Sequence, residues 1–221
     1  MALQLLTKKQ STLLKAIGGS KAIADSFYLT GGTALAGFYL FHRYSEDLDF
    51  FSEREVDPLA LTAWFHTLKQ TLSIATVDYR QSFNRNLYFL TFSDGETVKT
   101  EFTYFPFTPI EKPIKTDYGV SLDSMRDIAV NKLFSIYQRT VARDYIDLFF
   151  LVQKSEATVA DLIKQARIKF DTAIDPLQLG SQFAKAADVR DYPRMAVPLD
   201  HSAWQQFFAE EAEKLKPQIF R

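Results

Sequence analysis

The sequence predicts an α+β fold in which the first half mixes strands with helices and the second half is helical. Apolar residues have helical spacing near the N-terminus, residues 74–105 are predicted to form strands joined by two turns, and helical spacing returns from Leu122 onward. A loop containing three prolines closes the first half. We therefore expect one domain at residues 1–115 and a second, mostly helical domain at residues 116–221.

Each element follows from its local pattern. The first helix is expected over the apolar positions from Leu3 to Ile17, and Gly18-Gly19 should end it. The last strand of the first half should place Lys99, Glu101 and Thr103 on one face. The other expected elements are strands at 27–29 and 48–51, helices at 33–41 and 58–72, turns at 84–86 and 93–96, and C-terminal helices at 124–138, 142–154, 158–170, 176–187 and 201–216.

Composition limits the classes of function. Hydrophobic residues make up 47% of 221 residues, which is typical of a globular protein with a substantial core. The formal net charge of -1 does not indicate a broad basic surface, so any nucleic-acid contact must be local. The absence of cysteine excludes disulfides, thiol nucleophiles and cysteine-ligated zinc. With no signal peptide or membrane span expected, the sequence predicts a soluble, cytoplasmic protein.

Asp47 and Asp49 are the first candidate site residues. On a strand, two carboxylates at this spacing point to the same side and repel each other, so the pair should lie in water or on a cation. Apolar residues surround the pair, which favours a metal ion over simple solvation. The alternative is that both are turn residues beside one buried leucine.

A glycine turn precedes this pair. Gly31-Gly32-Thr33 follows an apolar run and leads into a helix, where backbone N–H groups can bind a phosphate. The turn alone is a weak signal, since it can simply connect a strand to a helix. Arg43 and Ser45 could contact phosphate, or could pair with a nearby acid and cap a turn, respectively. An acid pair beside a phosphate site indicates phosphoryl or nucleotidyl transfer.

Glu101 is the candidate third carboxylate, because it lies on the polar face of a neighbouring strand. Three carboxylates together with substrate phosphates supply the oxygen ligands that Mg²⁺ prefers. The alternative is an ordinary solvated residue of an edge strand.

A second set of charges lies in the helical half. Lys132 and Arg139 are seven residues apart on one helical face, and Arg143 could form an ion pair with Asp147 four residues later. The simplest interpretation is a salt-bridged helix surface. However, the segment that follows is strongly apolar, so we expect Lys132 to contact a triphosphate, and the other charges, Asp144 included, to be partly structural.

Together these blocks resemble a known family. The Gly-Gly-Thr turn and the Arg-x-Ser-x-Asp-x-Asp block at 43–49 resemble the signature of polymerase-beta-like nucleotidyltransferases. The later Lys-Leu, Arg and Arg-Asp-x-x-Asp-Leu block, over residues 132–148, is similar to that of their AbiEii/AbiGii toxin-type branch. The resemblance covers residues 25 to 152.

The resemblance implies a minimal nucleotidyltransferase fold, a mixed sheet with flanking helices, followed by a helical region that completes the cleft. It implies a two-ion Mg²⁺ site held by Asp47, Asp49 and Glu101, although the third acid is more commonly Asp. Lys132 and Asp147 complete the implied catalytic set. The residues expected to bind the NTP are Gly31, Gly32, Thr33, Arg43, Ser45 and Lys132.

The resemblance also implies an activity, the transfer of NMP from an NTP to an acceptor hydroxyl. The toxin branch suggests the 3′ end of a tRNA as acceptor, with Arg139 and Arg143 at the phosphodiester backbone, and a cognate antitoxin as a partner. Transfer to a protein or small molecule, or NTP binding by a catalytically idle module, are the alternatives. The residues indicate neither the acceptor nor the preferred base.

Overall fold

The first half of the chain folds around a seven-stranded mixed sheet. In the computed structural model, which describes residues 5–155 and 157–219, the sheet has the strand order β3-β4-β5-β2-β1-β7-β6. Its strands are β1 (Tyr28–Thr30), β2 (Leu48–Ser52), β3 (Ile74–Ser82), β4 (Arg85–Phe92), β5 (Thr97–Tyr104), β6 (Ile114–Lys115) and β7 (Ser121–Leu122). Flanking it are α1 (Lys8–Gly19), α2 (Lys21–Ala24), α3 (Gly31–Ala34) and α4 (Pro58–Thr67).

Strand β2 occupies the centre of this sheet, antiparallel to β1 and parallel to β5. As a result, Asp49 on β2 lies between Thr30 on β1 and Glu101 on β5. Leu48 and Phe50 are fully buried on the other face of β2, and Phe102 on β5 stacks on Phe50. The core therefore lies on the face opposite the acid pair.

Helix α1 begins later than its apolar pattern predicts. Leu3, where the prediction begins, lies outside the described residues, and the helix starts at Lys8 because Thr7 caps it through a capping box with Gln10. Buried Gln10 also donates hydrogen bonds to the carbonyls of Ser45 and Glu46 at 2.9 and 3.0 Å. Helix α1 thus fixes the loop that leads into β2.

The helix expected at 33–41 has two parts. Helix α3 covers Gly31–Ala34 and continues as a π-helical segment over Leu35–Leu40. Phe41, with φ of 53°, ends it. The hydroxyl of Tyr39 in this segment donates to the carbonyl of Asp123 at 2.8 Å, and burial, followed by the charge of Asp123, raises the pKa of Tyr39 to about 12.

The structure corrects one predicted turn. The sequence predicts a turn at 84–86, but Ser82 pairs with Arg85, so Phe83 and Asn84 form the turn and Arg85 belongs to β4. Asparagine on both sides of Arg85 led to the wrong position, because asparagine is typical of turns. The second turn, at 93–96, is confirmed by the pairing of strands β4 and β5 on either side of it.

Other differences are small. Helix α4 ends at Thr67 rather than 72, and Ser73 leads into β3 with φ of 55°. The short strands β6 and β7 were not predicted. They join the sheet beside β1, since β7 pairs with β1 in parallel.

The second half of the described chain is helical, as predicted. It contains α5 (Met125–Gln138), α6 (Ala142–Lys154), α7 (Val159–Lys169), α8 (Pro176–Ala184) and α9 (His201–Ile219), and a short 3-10 helix at Lys185–Ala187 follows α8. Its core contains the fully buried Tyr145, Phe183, Trp204 and Phe208. The chain divides into compact units at residues 1–124 and 125–221, so β6 and β7 belong with the sheet.

Taken together, these elements confirm the α+β architecture, a mixed sheet with flanking helices followed by a helical region. Of the helices in the described residues, none has both the length and the apolar character that crossing a membrane requires.

Candidate active site

The acid pair lies on the face of β2 that is turned away from the core. Asp47 and Asp49 are half-buried, whereas Leu48 between them and Phe50 after them are fully buried. This alternation puts both carboxylates on one side, as the strand pattern predicts. Two acids so placed can present oxygen ligands to the same space above the sheet.

The Gly31-Gly32 turn lies against the side chains of Arg43, Ser45 and Asp49. Gly31 has φ of +71°, and a Cβ built on it would lie 2.5 Å from Oδ2 of Asp49. A Cβ on Gly32 would lie 2.5 Å from Nη2 of Arg43 and 2.9 Å from Oγ of Ser45. Only residues without side chains allow such an approach, so the turn and these three side chains form one compact site.

Internal hydrogen bonds fix the turn and the acid pair together. The hydroxyl of Thr33, which is 1% exposed, donates to the carbonyl of Asp47. The hydroxyl of Thr30 donates to Oδ2 of buried Asp123 at 2.7 Å, which anchors the end of β1. Nη1 of Arg43 donates to the carbonyl of Tyr44 at 2.9 Å, so this nearly buried guanidinium is held in place over Gly32. These bonds hold the turn and the acid pair in one arrangement.

Glu101 faces the same side as the acid pair and is bound by a cation. Its register partner on β2 is Asp49. Nε and Nη2 of Arg85 donate to its two oxygens at 2.7 and 2.6 Å, and the hydroxyl of Thr103 donates at 2.8 Å. Burial alone would raise the pKa of Glu101, but Arg85 and Thr103 outweigh burial and hold that pKa below its usual value.

A second cation holds the first acid. Nζ of Lys99 lies 2.7 Å from Oδ2 of Asp47, and Lys99 and Glu101 are alternate residues of β5. Asp47 and Glu101 thus each have a positive partner. Arg85 is not identified as a site residue from the sequence, because the pattern assigns it to a turn rather than to β4. Counting residues back along the hairpin from the Asp-Gly turn would have placed Arg85 opposite Thr103.

The donor set fits a divalent cation. The carboxylates of Asp47 and Asp49 are the hard oxygen ligands that Mg²⁺ prefers, and the ammonium at Asp47 shows that this face attracts positive charge. Within 5–155 and 157–219, no three acidic or histidine side chains are close enough to share one ion. Glu101 as a third ligand therefore stays a prediction.

The second predicted constellation forms a buried ionic network within the helical unit. Nζ of Lys132 on α5 lies 2.7 Å from both Oδ1 of Asp144 and Oδ2 of Asp147 on α6. Both aspartates are 0% exposed and Lys132 is 8% exposed. Arg139 reaches Oδ2 of Asp144 through Nε and Nη2 at 2.9 and 2.8 Å.

The observed ion pairs differ from those that spacing along the helix suggested. Asp147 pairs with Lys132 from another helix, whereas Arg143, four residues before it, is exposed. Burial tends to raise the pKa of Asp144, but Lys132 and Arg139 outweigh it and lower that pKa. The contact of Lys132 with a triphosphate stays a prediction.

Comparison with known proteins agrees with the geometry. The family model described as "Nucleotidyl transferase AbiEii toxin, Type IV TA system" matches residues 13–217. The uncharacterized protein aq_aa25 of Aquifex aeolicus is 31% identical over 177 residues, covering 75% of this chain and 76% of that protein.

Two solved structures share the fold. JHP933 from Helicobacter pylori has a TM-score of 0.63 at 21% identity, covering 96% of this chain and 90% of that one. MenT4, the nucleotidyltransferase toxin Rv2826c of Mycobacterium tuberculosis, has a TM-score of 0.63 at 17% identity, covering 94% and 81%. With a family match over most of its length, the chain belongs to the AbiEii nucleotidyltransferase toxin family and is a nucleotidyltransferase.

Proposed function

We propose that this enzyme moves an NMP from an NTP to the 3′-terminal hydroxyl of an RNA, with tRNA as the first candidate, and that it requires Mg²⁺. The observation that carries the proposal is the close approach of Asp49, Arg43 and Ser45 to the Gly31-Gly32 turn. This close approach supports the proposal, because phosphoryl transfer requires groups that can bind phosphate next to a carboxylate that can bind a metal.

The chain's own groups would bind the triphosphate. The backbone N–H groups of Gly31 and Gly32 would donate to the β- and γ-phosphates, because a glycine turn that opens a helix is a ready anion-binding site. The hydroxyl of Ser45 and the guanidinium of Arg43 lie over the same turn and can donate to phosphate oxygens. Thr33 supports the site indirectly by holding the carbonyl of Asp47.

The carboxylates would hold the metal and orient the reacting groups. Asp47 and Asp49 would bind Mg²⁺, which when bound supplies neutralisation of phosphate charge and activation of the acceptor hydroxyl, and Glu101 stays the predicted third acid. The ammonium of Lys99 would compete with the metal for Asp47, since one carboxylate oxygen cannot serve both fully. Arg85 keeps Glu101 ionised and fixed in position. No covalent enzyme intermediate is needed.

Lys132 and Asp147 complete the proposed catalytic set, as their positions in the family pattern imply. Asp144 and Asp147 hold the ammonium of Lys132 between them, and Arg139 holds Asp144. Such a lysine has a fixed position, which suits a contact to phosphate oxygens better than a freely rotating side chain does. We infer that the enzyme works in the cytoplasm, where NTPs and tRNA are available, and that an antitoxin restrains it.

A labelling experiment tests the proposal. The protein is incubated with each α-³²P-labelled NTP, Mg²⁺ and total tRNA, and with Asp49→Asn protein as control. Label in tRNA that is lost after 3′-terminal digestion is the expected result. Label in protein or a small molecule would favour those acceptors, and Mg²⁺-dependent NTP binding without any transfer would favour the idle module.

A further inference from the structure

A continuous row of residues crosses four strands, starting at the acid pair. The register aligns Asp49 with Glu101, Glu101 with Leu87, and Leu87 with Arg80. Neighbouring strands lie about 4.8 Å apart, so the backbone at Arg80 is about 14 Å from that at Asp49. The row thus leads from the proposed reaction centre to the outer strand of the sheet.

The face that carries this row is open over β3 and β4. Leu87 and Phe89 are half-buried, whereas Tyr88 and Leu90 on the opposite face are fully buried. The guanidinium of Arg80 lies 4.8 Å from the ring centroid of Phe89, and its side chain is 67% exposed. Its Nε and Nη2 donate to Oδ2 of Asp78 at 3.1 and 2.8 Å. The face therefore offers an exposed guanidinium on an aromatic ring, with part of its donor fork used by Asp78.

Arg85 offers a second cation on the same face. One edge of its guanidinium, Nε and Nη2, is used by Glu101. The structure gives Nη1 no hydrogen-bond partner among the described residues, and the side chain is 48% exposed. Because the guanidinium fork carries donors on both sides, Arg85 can hold Glu101 and bind an anion at the same time.

The hairpin that joins β3 to β4 ends in an exposed aromatic ring. Phe83 is 95% exposed and has φ of 54°. A bulky residue is strained in this conformation, and glycine, asparagine or aspartate is usual at such turns. Because the ring is exposed, it contributes no buried area to the stability of the fold. A strained, solvated phenylalanine two residues from Arg85 therefore points to a binding role.

We propose that Arg80, Phe83, Arg85, Leu87 and Phe89, here called the acceptor surface, bind the single-stranded 3′ end of the RNA acceptor. The proposal rests on the proposed function, and it places acceptor binding on the sheet rather than at Arg139 and Arg143. Guanidiniums bind phosphodiester groups, and exposed rings stack on unpaired bases. This local combination matches a protein whose net charge of -1 provides no broad basic surface.

Binding to a short RNA tests the surface directly. The probe is a fluorescently labelled eight-nucleotide RNA without secondary structure, titrated with full-length protein without NTP at several salt concentrations. Phe83→Ala should weaken binding about 5- to 150-fold, the range found for one stacked base. Arg80→Gln should reduce the slope of log affinity against log salt by about 0.7, the loss of one phosphate contact.

Two control variants match these changes elsewhere. Leu59→Ala removes an apolar side chain that is 81% exposed on α4, and Lys164→Gln removes a charge whose side chain is 73% exposed on α7. Both controls should bind the RNA like wild type. Phe83→Ala should unfold at the wild-type temperature or above it and bind NTP normally, since no buried contact is lost.

The outcomes separate this inference from the proposed function. If wild type labels tRNA and Phe83→Ala labels it with an unchanged KM, the acceptor surface is wrong while nucleotidyl transfer to RNA stands. If wild type labels a protein instead of RNA and Phe83→Ala abolishes this labelling, the surface binds protein. Both the inference and the proposed RNA acceptor are then wrong. Failure of wild type to bind the oligonucleotide also overturns the inference.

Discussion

Removing the ammonium of Lys132 should destabilise the helical unit strongly. The change is Lys132→Met, which keeps the length of the side chain and removes its charge. Asp147 then loses a cation at 2.7 Å while it remains 0% exposed. Asp144 loses one of its two cations and keeps Arg139. Two like charges are left buried next to each other, with less compensation than before.

The size of this effect follows from burial. Breaking a buried ion pair by removing one partner costs about 3–5 kcal/mol. For a chain of this length, each kcal/mol lowers Tm by about 2–4 °C, so Tm should fall by about 6–20 °C. Lys132→Met combined with Asp147→Asn should recover part of this loss, because the second change removes one of the two buried negative charges.

The pH dependence of unfolding tests whether the lost ion pairs cause the destabilisation, because the stability of Lys132→Met and of wild type should respond differently to acid. In wild type the pKa of Asp144 is lowered, so its contribution is complete above the ordinary aspartate pKa of about 3.9 and is lost as pH falls below it. In Lys132→Met, burial should raise the pKa of the remaining carboxylates. The free energy of unfolding of the variant should therefore increase as pH falls from about 7 to 5, whereas that of wild type should change little over this range.

The assay is urea unfolding followed by circular dichroism at several pH values. Mg²⁺-dependent NTP affinity of the folded variant, measured separately, reports the proposed triphosphate contact. A Lys132→Met protein with wild-type Tm would refute the structural reasoning. So would a variant whose stability falls on acidification in parallel with wild type.

Three further predictions concern the sheet. Asp47→Asn or Asp49→Asn should abolish label transfer while circular dichroism shows an intact fold; wild-type turnover in either variant would remove it from the metal site. Gly31→Ala should lower transfer far more than Gly19→Ala, because a Cβ at Gly31 lies 2.5 Å from Oδ2 of Asp49 at φ of +71°, while a Cβ at Gly19 meets no atom within 4 Å; equal activities would contradict this. Lys99→Met should tighten Mn²⁺ binding a few-fold in calorimetry, since the displaced pair with Asp47 is partly exposed and worth about 1 kcal/mol or less; weaker binding would show that Lys99 does not compete with metal.

The glycine turn and the acid pair could be predicted because both depend on local rules. Alternation along β2 places Asp47 and Asp49 on one side whatever the rest of the chain does. Gly31 at positive φ follows from the turn itself. The approach of Arg43 and Ser45 to Gly32 depends on the path of the loop, which Gln10 of α1 fixes from 35 residues away, and no local pattern shows that bond.

Partners across elements were harder to predict. Spacing within α6 suggested a pair between Arg143 and Asp147, but the packing of α5 on α6 brings Lys132 to Asp147 instead. Lys169 on α7 and Asp127 on α5 form another buried pair at 2.6 Å that no spacing rule indicated. Local spacing identifies which charges share a face, whereas tertiary packing decides which opposite charge is nearest.

The π-helical segment at Leu35–Leu40 bears on how this chain should be aligned with its relatives. A π turn holds one more residue than an α turn over the same arc, because its hydrogen bonds reach five residues rather than four. A relative that lacks one residue between Gly32 and Arg43 can therefore keep both ends of the motif in place with an ordinary helix. Single-residue gaps in this interval should be assigned to residues 35–40, so that the glycine turn and the acid pair remain aligned.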